Sequence, residues 1–285
     1  MSATTTELAY NVKRLRGQVV GWGLGLGGYA MLMIPAYNII IENQKQMQEM
    51  LKAYPPEMAA FFGDMNAIAT PAGFLQIYFF SMIPLFVGTF AAIAGSGLLA
   101  RDEEAGVLDL VLAHPISRRA LFVARALALL LAALGIHLAM WLGSLLGELR
   151  SSLDVSAGGH LLGQLSLFSM TALFLAAGVL SGVVLPARRL AGMATGLLVL
   201  GGYLLTSLSR LDDRLSGVAQ LSPYTHFQGA ITWDTFSWSS FGGLLGVAVL
   251  FFVLAFLALE KKEVRVGGEG TVKLRSLLPG RARRA

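Results

Sequence analysis

Six stretches of this chain are apolar: 18–41, 72–99, 120–146, 161–185, 190–208 and 241–259. Each is close to the roughly 20 residues a helix needs to cross the hydrocarbon core of a bilayer. No water reaches that core, so every backbone N–H and C=O must be bonded within its own segment, and an α-helix does this. The fold class predicted is therefore all-α integral membrane, with six transmembrane helices. Charge agrees: 14% of the 285 residues are Asp, Glu, Lys or Arg, against about 25% in soluble domains. The 33 glycines suit close helix packing in lipid. With no cysteine, disulfides, thiolate metal sites and Cys nucleophiles are excluded. The first seventeen residues are polar and the first apolar run is too long for a signal h-region, so no cleavable signal is expected.

Six spans put both termini on one side, and Lys and Arg favour the cytoplasm. Lys13, Arg14 and Arg16 precede the first span. Arg101, Arg118, Arg119 and Arg125 surround the second-to-third connection. Arg188 and Arg189 lie between the fourth and fifth, and eight more follow Glu260. These make 17 of the 22 basic residues. Both termini and the 100–119 loop are predicted to be cytoplasmic. The net charge of +5 is then an orientation signal facing anionic lipid rather than a nucleic-acid surface.

The chain divides into an N-terminal segment 1–17, a six-helix domain 18–260 and a basic tail 261–285. Leu8, Val12, Leu15 and Val19 recur at helical spacing among Lys13, Arg14 and Arg16, which predicts a basic amphipathic helix in the inner headgroup layer. The outer loop 42–71 reads as a helical hairpin: Met47, Met50, Leu51 and Tyr54 share a face, Pro55 and Pro56 break it, and a second short helix ends at Gly63. A longer outer loop, 209–240, carries Ser222-Pro223-Tyr224. Pro35 and Pro84 each remove a donor inside a span and predict kinks. Glycines four apart let backbones approach: Gly21 and Gly25, Gly23 and Gly27, Gly178 and Gly182, Gly192 and Gly196, Gly242 and Gly246. In span one such contacts serve packing within the chain or between protomers.

The loop RDEEAGVLDLVLAHPISRR, 101–119, is polar between two apolar runs. Asp102 is placed to N-cap a helix starting at Glu103, with Glu103 and Glu104 in the first turn where the dipole favours anions. Val107, Leu108, Leu110, Val111 and Leu112 give it an apolar flank. Pro115 ends it, and Ser117 caps the third span. Arg118 and Arg119 oppose that span's dipole, for which anionic lipid is the simplest cause. Such a surface helix either docks into a groove on another protein or packs only on its own domain.

GSGLLARDEEAGVLDLVLAHPISRRALFVARALA resembles the ABC-2 type permeases, membrane subunits of bacterial ATP-binding cassette exporters. The matching residues are Glu103, Glu104, Gly106, Leu108, Leu110, Leu112, Pro115, Ser117 and Arg118, while Val107 stands where the family usually has Thr. The basic start, the Pro-Pro-Glu hairpin and Ser222-Pro223-Tyr224 extend the resemblance over nearly the whole chain. It implies that the loop, Asp102 included, is a coupling helix inserting into a cytoplasmic ATPase. It also implies two permease copies, alike or related, with two ATPases, in the bacterial cytoplasmic membrane. The chain has no Gly-Lys dipeptide and so no P-loop, which places ATP and Mg on the partner and no cofactor here.

Ser96 and His137 raise an intramembrane Ser–His enzyme, but along their helices they differ in depth by roughly 20 Å at 1.5 Å per residue, whereas a dyad needs contact. His137, the one ionisable residue near mid-membrane, is read first as a neutral group bonded to a neighbouring helix and second as part of a path. No span centre holds a carboxylate for ion coupling, and no residue cluster has metal-ligand spacing. The function expected is an ATP-driven exporter permease moving a lipophilic or amphipathic substrate; a non-transporting scaffold subunit is the alternative.

Overall fold

The computed structural model describes residues 3–52, 55, 57–113, 116–229, 232 and 234–261. Among them there is no strand. The helices are α1 (Ala3–Met33), α2 (Ala36–Glu42), α3 (Gln44–Lys52), α4 (Met58–Phe62), α5 (Pro71–Leu75), α6 (Ile83–Ser96), α7 (Ala100–Glu104), α8 (Leu108–Leu112), α9 (Arg118–Glu148), α10 (Ala157–Val184), α11 (Arg188–Leu208), α12 (Ser216–Ala219) and α13 (Trp238–Lys261). Six helical segments are long and apolar enough to cross a membrane: Ala3–Glu42, Pro71–Ser96, Arg118–Glu148, Ala157–Val184, Arg188–Leu208 and Trp238–Lys261. The protein is an all-α membrane protein, as the hydropathy pattern requires.

α10 is the hub of the bundle and packs on α6, α9, α11 and α13, while α1 runs along α9. Its most apolar stretch is 78% buried, against 22% for that of α13. Polar groups on α10 are bonded rather than left bare: Ser169 Oγ donates to Ser166 O, and Ser166 Oγ accepts from the Gln228 N–H. In hydrocarbon the alternative to such a partner is an unsatisfied group.

Glycine sets the closest crossings. A methyl group built on Gly27 would lie 2.6 Å from the Ala139 carbonyl oxygen, and one on Gly143 would lie 2.0 Å from that of Gly27. Likewise Gly95 meets the Leu175 carbonyl at 2.6 Å. These are backbone atoms and cannot yield. Pro35 breaks α1 from α2 as expected. Near Pro84 the second span carries a π-helical stretch, Gln76–Phe80, and a turn at Ser81 and Met82 before α6 resumes. There a missing N–H and a wide turn occur together.

One expectation changes. The amphipathic start is not separate from the first span: α1 is one helix from Ala3 to Met33 and runs on through Gly17. The outer hairpin has its two helices, α3 and α4, and Gly63 at φ +95 ends the second in the left-handed region that glycine tolerates. Arg210 Nη1 donates to the Ala60 carbonyl at 3.0 Å and Tyr203 Oη to the Phe61 carbonyl at 3.3 Å, so the end of α11 secures α4. Tyr54 and Pro56 lie outside the described residues, as does the tail from 262 onward.

Candidate functional site

The starts of α1, α9 and α11, the end of α13 and the described residues of the 97–117 loop meet at one end of the bundle. The loop is two helices. α7 closes with the Val107 N–H bonded to the Asp102 carbonyl at 2.9 Å and the Gly106 N–H to the Glu103 carbonyl at 3.1 Å. Gly106 sits between at φ +67. This is a Schellman closure, and it explains the glycine. The single helix expected from Glu103 onward is therefore split.

Asp102 does not cap. The N-cap of α7 is Leu99, and Asp102 is 7% exposed and turned inward. It takes both forks of Arg14, with Nη1 to Oδ2 at 3.2 Å and Nη2 to Oδ1 at 2.9 Å. Arg125 Nη2 reaches Oδ2 at 2.8 Å. Arg125, 2% exposed, also donates from Nε to Glu7 Oε1 at 3.0 Å and from Nη1 to the Leu98 carbonyl at 3.0 Å. Asn11 Nδ2 adds a bond to Glu7 Oε1 at 2.9 Å. Burial pushes the Asp102 carboxyl up, but hydrogen bonds and charge from Arg14 and Arg125 outweigh it and hold it below its ordinary 3.8.

Glu104 works elsewhere. Its Oε1 accepts from the Arg188 N–H at 2.9 Å, capping the first turn of α11. The loop is thus tied to the first and third spans through Asp102 and to the fifth through Glu104. Ser117 caps α9 as expected, its Oγ accepting from the Ala120 N–H at 3.1 Å. Arg119 finds Glu260 and the Phe256 ring, so a protein carboxylate offsets the opposed dipole that had suggested lipid alone.

The other sequence candidates separate by exposure. Leu108 is buried, while Val107 and Leu110 are 42% and 66% exposed. Glu103 is half-buried within α7, and Arg118 is exposed at the first position of α9. Pro115 and the side chain of Leu112 lie outside the described residues. Leu110, Val111 and Ile116 face Thr6, Glu7 and Tyr10 of α1 across an open groove of about 560 Å³.

Gly23 and Gly27 pack against Ala139 of α9, and Gly192 faces Ser96. Gly21, Gly25 and Gly196 have no neighbour within 4 Å where a side chain would start. His137 lies between helices. Its Nδ1 is 3.1 Å from Gln164 Oε1 and its Nε2 is 3.0 Å from Thr171 Oγ1, both on α10. Both ring nitrogens thus have a polar neighbour on α10, and the one proton of the Thr171 hydroxyl serves either Nε2 or the Leu167 carbonyl, 2.8 Å away. Ser96 instead donates to the Ala92 carbonyl at 2.6 Å, so no Ser–His dyad forms.

Glu7 and Arg125 are absent from the sequence candidates, and both carried a signal. Glu7, Asn11 and Arg14 fall on one face at helical spacing. Arg125 lies inside an apolar helix, where an ionised group needs a partner.

A family model described as the C-terminal domain of the multidrug efflux system permease Rv1217c matches residues 5–259. The chain belongs to that family. No curated protein matches the chain in sequence. The match takes in nearly all of the six spans and the charged cluster of Glu7, Arg14, Asp102 and Arg125, and ends one residue before Glu260. This member of the permease family is a multi-pass transport permease rather than an enzyme.

Proposed function

We propose that the chain is the permease subunit of an ABC-2 type exporter. It moves a lipophilic or amphipathic compound across the bacterial cytoplasmic membrane and takes its power from a separate cytoplasmic ATPase bound at the 100–119 loop. One observation carries this reading: the loop is bonded to three spans at once, by Asp102 to Arg14 and Arg125 and by Glu104 to the start of α11. A push on such a loop moves helices, whereas a push on a solvated connector does not.

Other features support the remaining parts. The excess of Lys and Arg at the loop end and in both termini favours the cytoplasmic face there. Span centres without carboxylates suit an apolar cargo, and the family is named for multidrug efflux. Gly21, Gly25 and Gly196 leave close-approach surface for a second permease copy, identical or related. Two ATPase subunits would then engage two loops, each ATPase holding ATP and Mg.

Exposed Leu110 and the acidic pair Glu103 and Glu104 make the sharpest test. The full chain is coexpressed with its ATP-binding partner and purified, and drug-stimulated ATP hydrolysis is measured. Leu110→Asp, or Glu103→Lys with Glu104→Lys, abolishes copurification and stimulation while the permease still inserts. Unchanged coupling in both variants would remove the docking assignment.

A further inference from the structure

Arg188 and Arg189 open α11, and among the described residues neither guanidinium pairs with a carboxylate. Both line a cleft of about 360 Å³ between α6 and α11, walled by Ala92, Ile93, Ser96 and Gly192. That volume falls in the range of about 300–1,000 Å³ typical of ligand sites. The Arg188 side chain also borders a second, smaller cavity of about 60 Å³, together with Arg14, Arg101 and Arg125. Five arginines therefore line the two spaces, against one carboxylate, Glu104.

Arg14 and Arg125 are neutralised by Asp102 and Glu7 behind the cavity wall. Arg188 and Arg189 are not, and they stand at a helix start, where cations oppose the dipole. Glu104 relieves only the Arg188 N–H. The cleft is thus cationic at its mouth and apolar along Ile93, which is 50% exposed. A ligand matching it has an anionic head and an apolar tail. Basic pockets between membrane helices at the cytoplasmic side take lipid head groups of this kind.

We propose that the α6–α11 cleft holds an anionic phospholipid, its phosphate between Arg188 and Arg189 and its chain along Ile93 and the Gly192 face. Only the placement of this end of the bundle at a leaflet is needed; the ATPase partner is not. The test uses purified full-length chain, with any copurifying subunits, in mixed micelles. Occupancy by phosphatidylglycerol and by phosphatidylcholine is compared by native mass spectrometry.

At about fivefold per arginine, wild type prefers phosphatidylglycerol by about twenty-five-fold. Arg188→Gln with Arg189→Gln abolishes the preference. Ile93→Trp, which keeps both charges and fills the cleft, lowers occupancy at an unchanged melting temperature in phosphatidylcholine. Parity between the two lipids in wild type, or an undiminished preference in the double variant, overturns the proposal. Millimolar inorganic phosphate should leave bound phosphatidylglycerol in place; displacement by it would assign the site to a soluble anion instead.

Discussion

Asp102 Oδ2 and Arg125 Nη2 meet at 2.8 Å behind the loop, and this contact joins a surface element to a membrane span. Withdrawing two such charges from water costs several kcal/mol each, and their attraction offsets that only when every remaining donor is also met. Arg125 goes far toward that condition: each of its three nitrogens has a partner, in Glu7, the Leu98 carbonyl and Asp102. The same carboxylate holds Arg14 on α1, so the linkage of loop, first span and third span depends on one residue.

Asp102→Ala should therefore destabilise by about 3 kcal/mol, because it leaves a buried guanidinium short of its counter-charge. Asp102→Asn keeps the shape and should cost less. Both are read from thermal melting of the purified protein. A melting temperature unchanged in Asp102→Ala would mean that the cluster is solvated and does not hold the loop.

The same pair sets a pH dependence. Burial raises the Asp102 carboxyl, and Arg14 and Arg125 lower it further than burial raises it, to below 3.8. A depressed folded-state value means stability that is complete above the unfolded value and is lost as pH falls through the folded one. The melting-temperature gap between wild type and Asp102→Asn should hold from about pH 7 to about pH 5 and narrow below the ordinary carboxyl range. A gap that widens on acidification would contradict the ion pair.

Two helix glycines should behave oppositely. A methyl on Gly143 would sit 2.0 Å from the Gly27 carbonyl oxygen, whereas around Gly25 nothing lies within 4 Å. Gly143→Ala must separate α1 from α9 and should cost about 1–3 kcal/mol, as overpacked cores do. Gly25→Ala should leave protomer stability within about 0.5 kcal/mol, as at other open surface positions. If Gly25→Ala alone lowers the assembly state on size exclusion, its face is the contact between copies.

The spans were legible because twenty apolar residues in a row have one backbone solution in lipid. Ser117 and Gly63 were legible because caps and left-handed turns are local. Asp102 was not. Its residue type and place fit an N-cap, and only the distant Arg14 and Arg125 turn it inward. The separate start of α1 was over-read from composition: polarity changes near Gly17, but the helix continues through it. Gly23 and Gly25 are alike in sequence; which one meets α9 depends on how α1 is rotated, and neighbouring residues do not encode that.

Gly106 offers a local test of the loop. Its φ of +67 is the conformation that a Cβ penalises by about 1–2 kcal/mol. No atom lies within 4 Å of where that Cβ would be, so backbone strain is the whole effect. Gly106→Ala should disturb the α7–α8 turn, and Gly106→Asn, which tolerates the left-handed region, should restore most of it. Amide exchange at Val107, whose N–H closes the turn on Asp102, reports this directly. Equal protection in the two variants would show that the turn does not require the left-handed residue.

His137 and Gln164 form the last coupled pair, with Nδ1 3.1 Å from Oε1 between α9 and α10. Both side chains are buried, at 4% exposure each. If the bond joins the helices, removing either partner strands the other in an apolar interior. His137→Leu and Gln164→Leu should each destabilise, while the double variant should cost less than their sum. Hydrogen bonds between membrane helices average about 0.6 kcal/mol in such cycles and reach about 1.7, and a fully buried pair belongs toward the upper value. The cycle is measured by reversible unfolding in mixed micelles. Strict additivity would mean that the two groups find other partners, and the ring would then not act as a fastener between the helices.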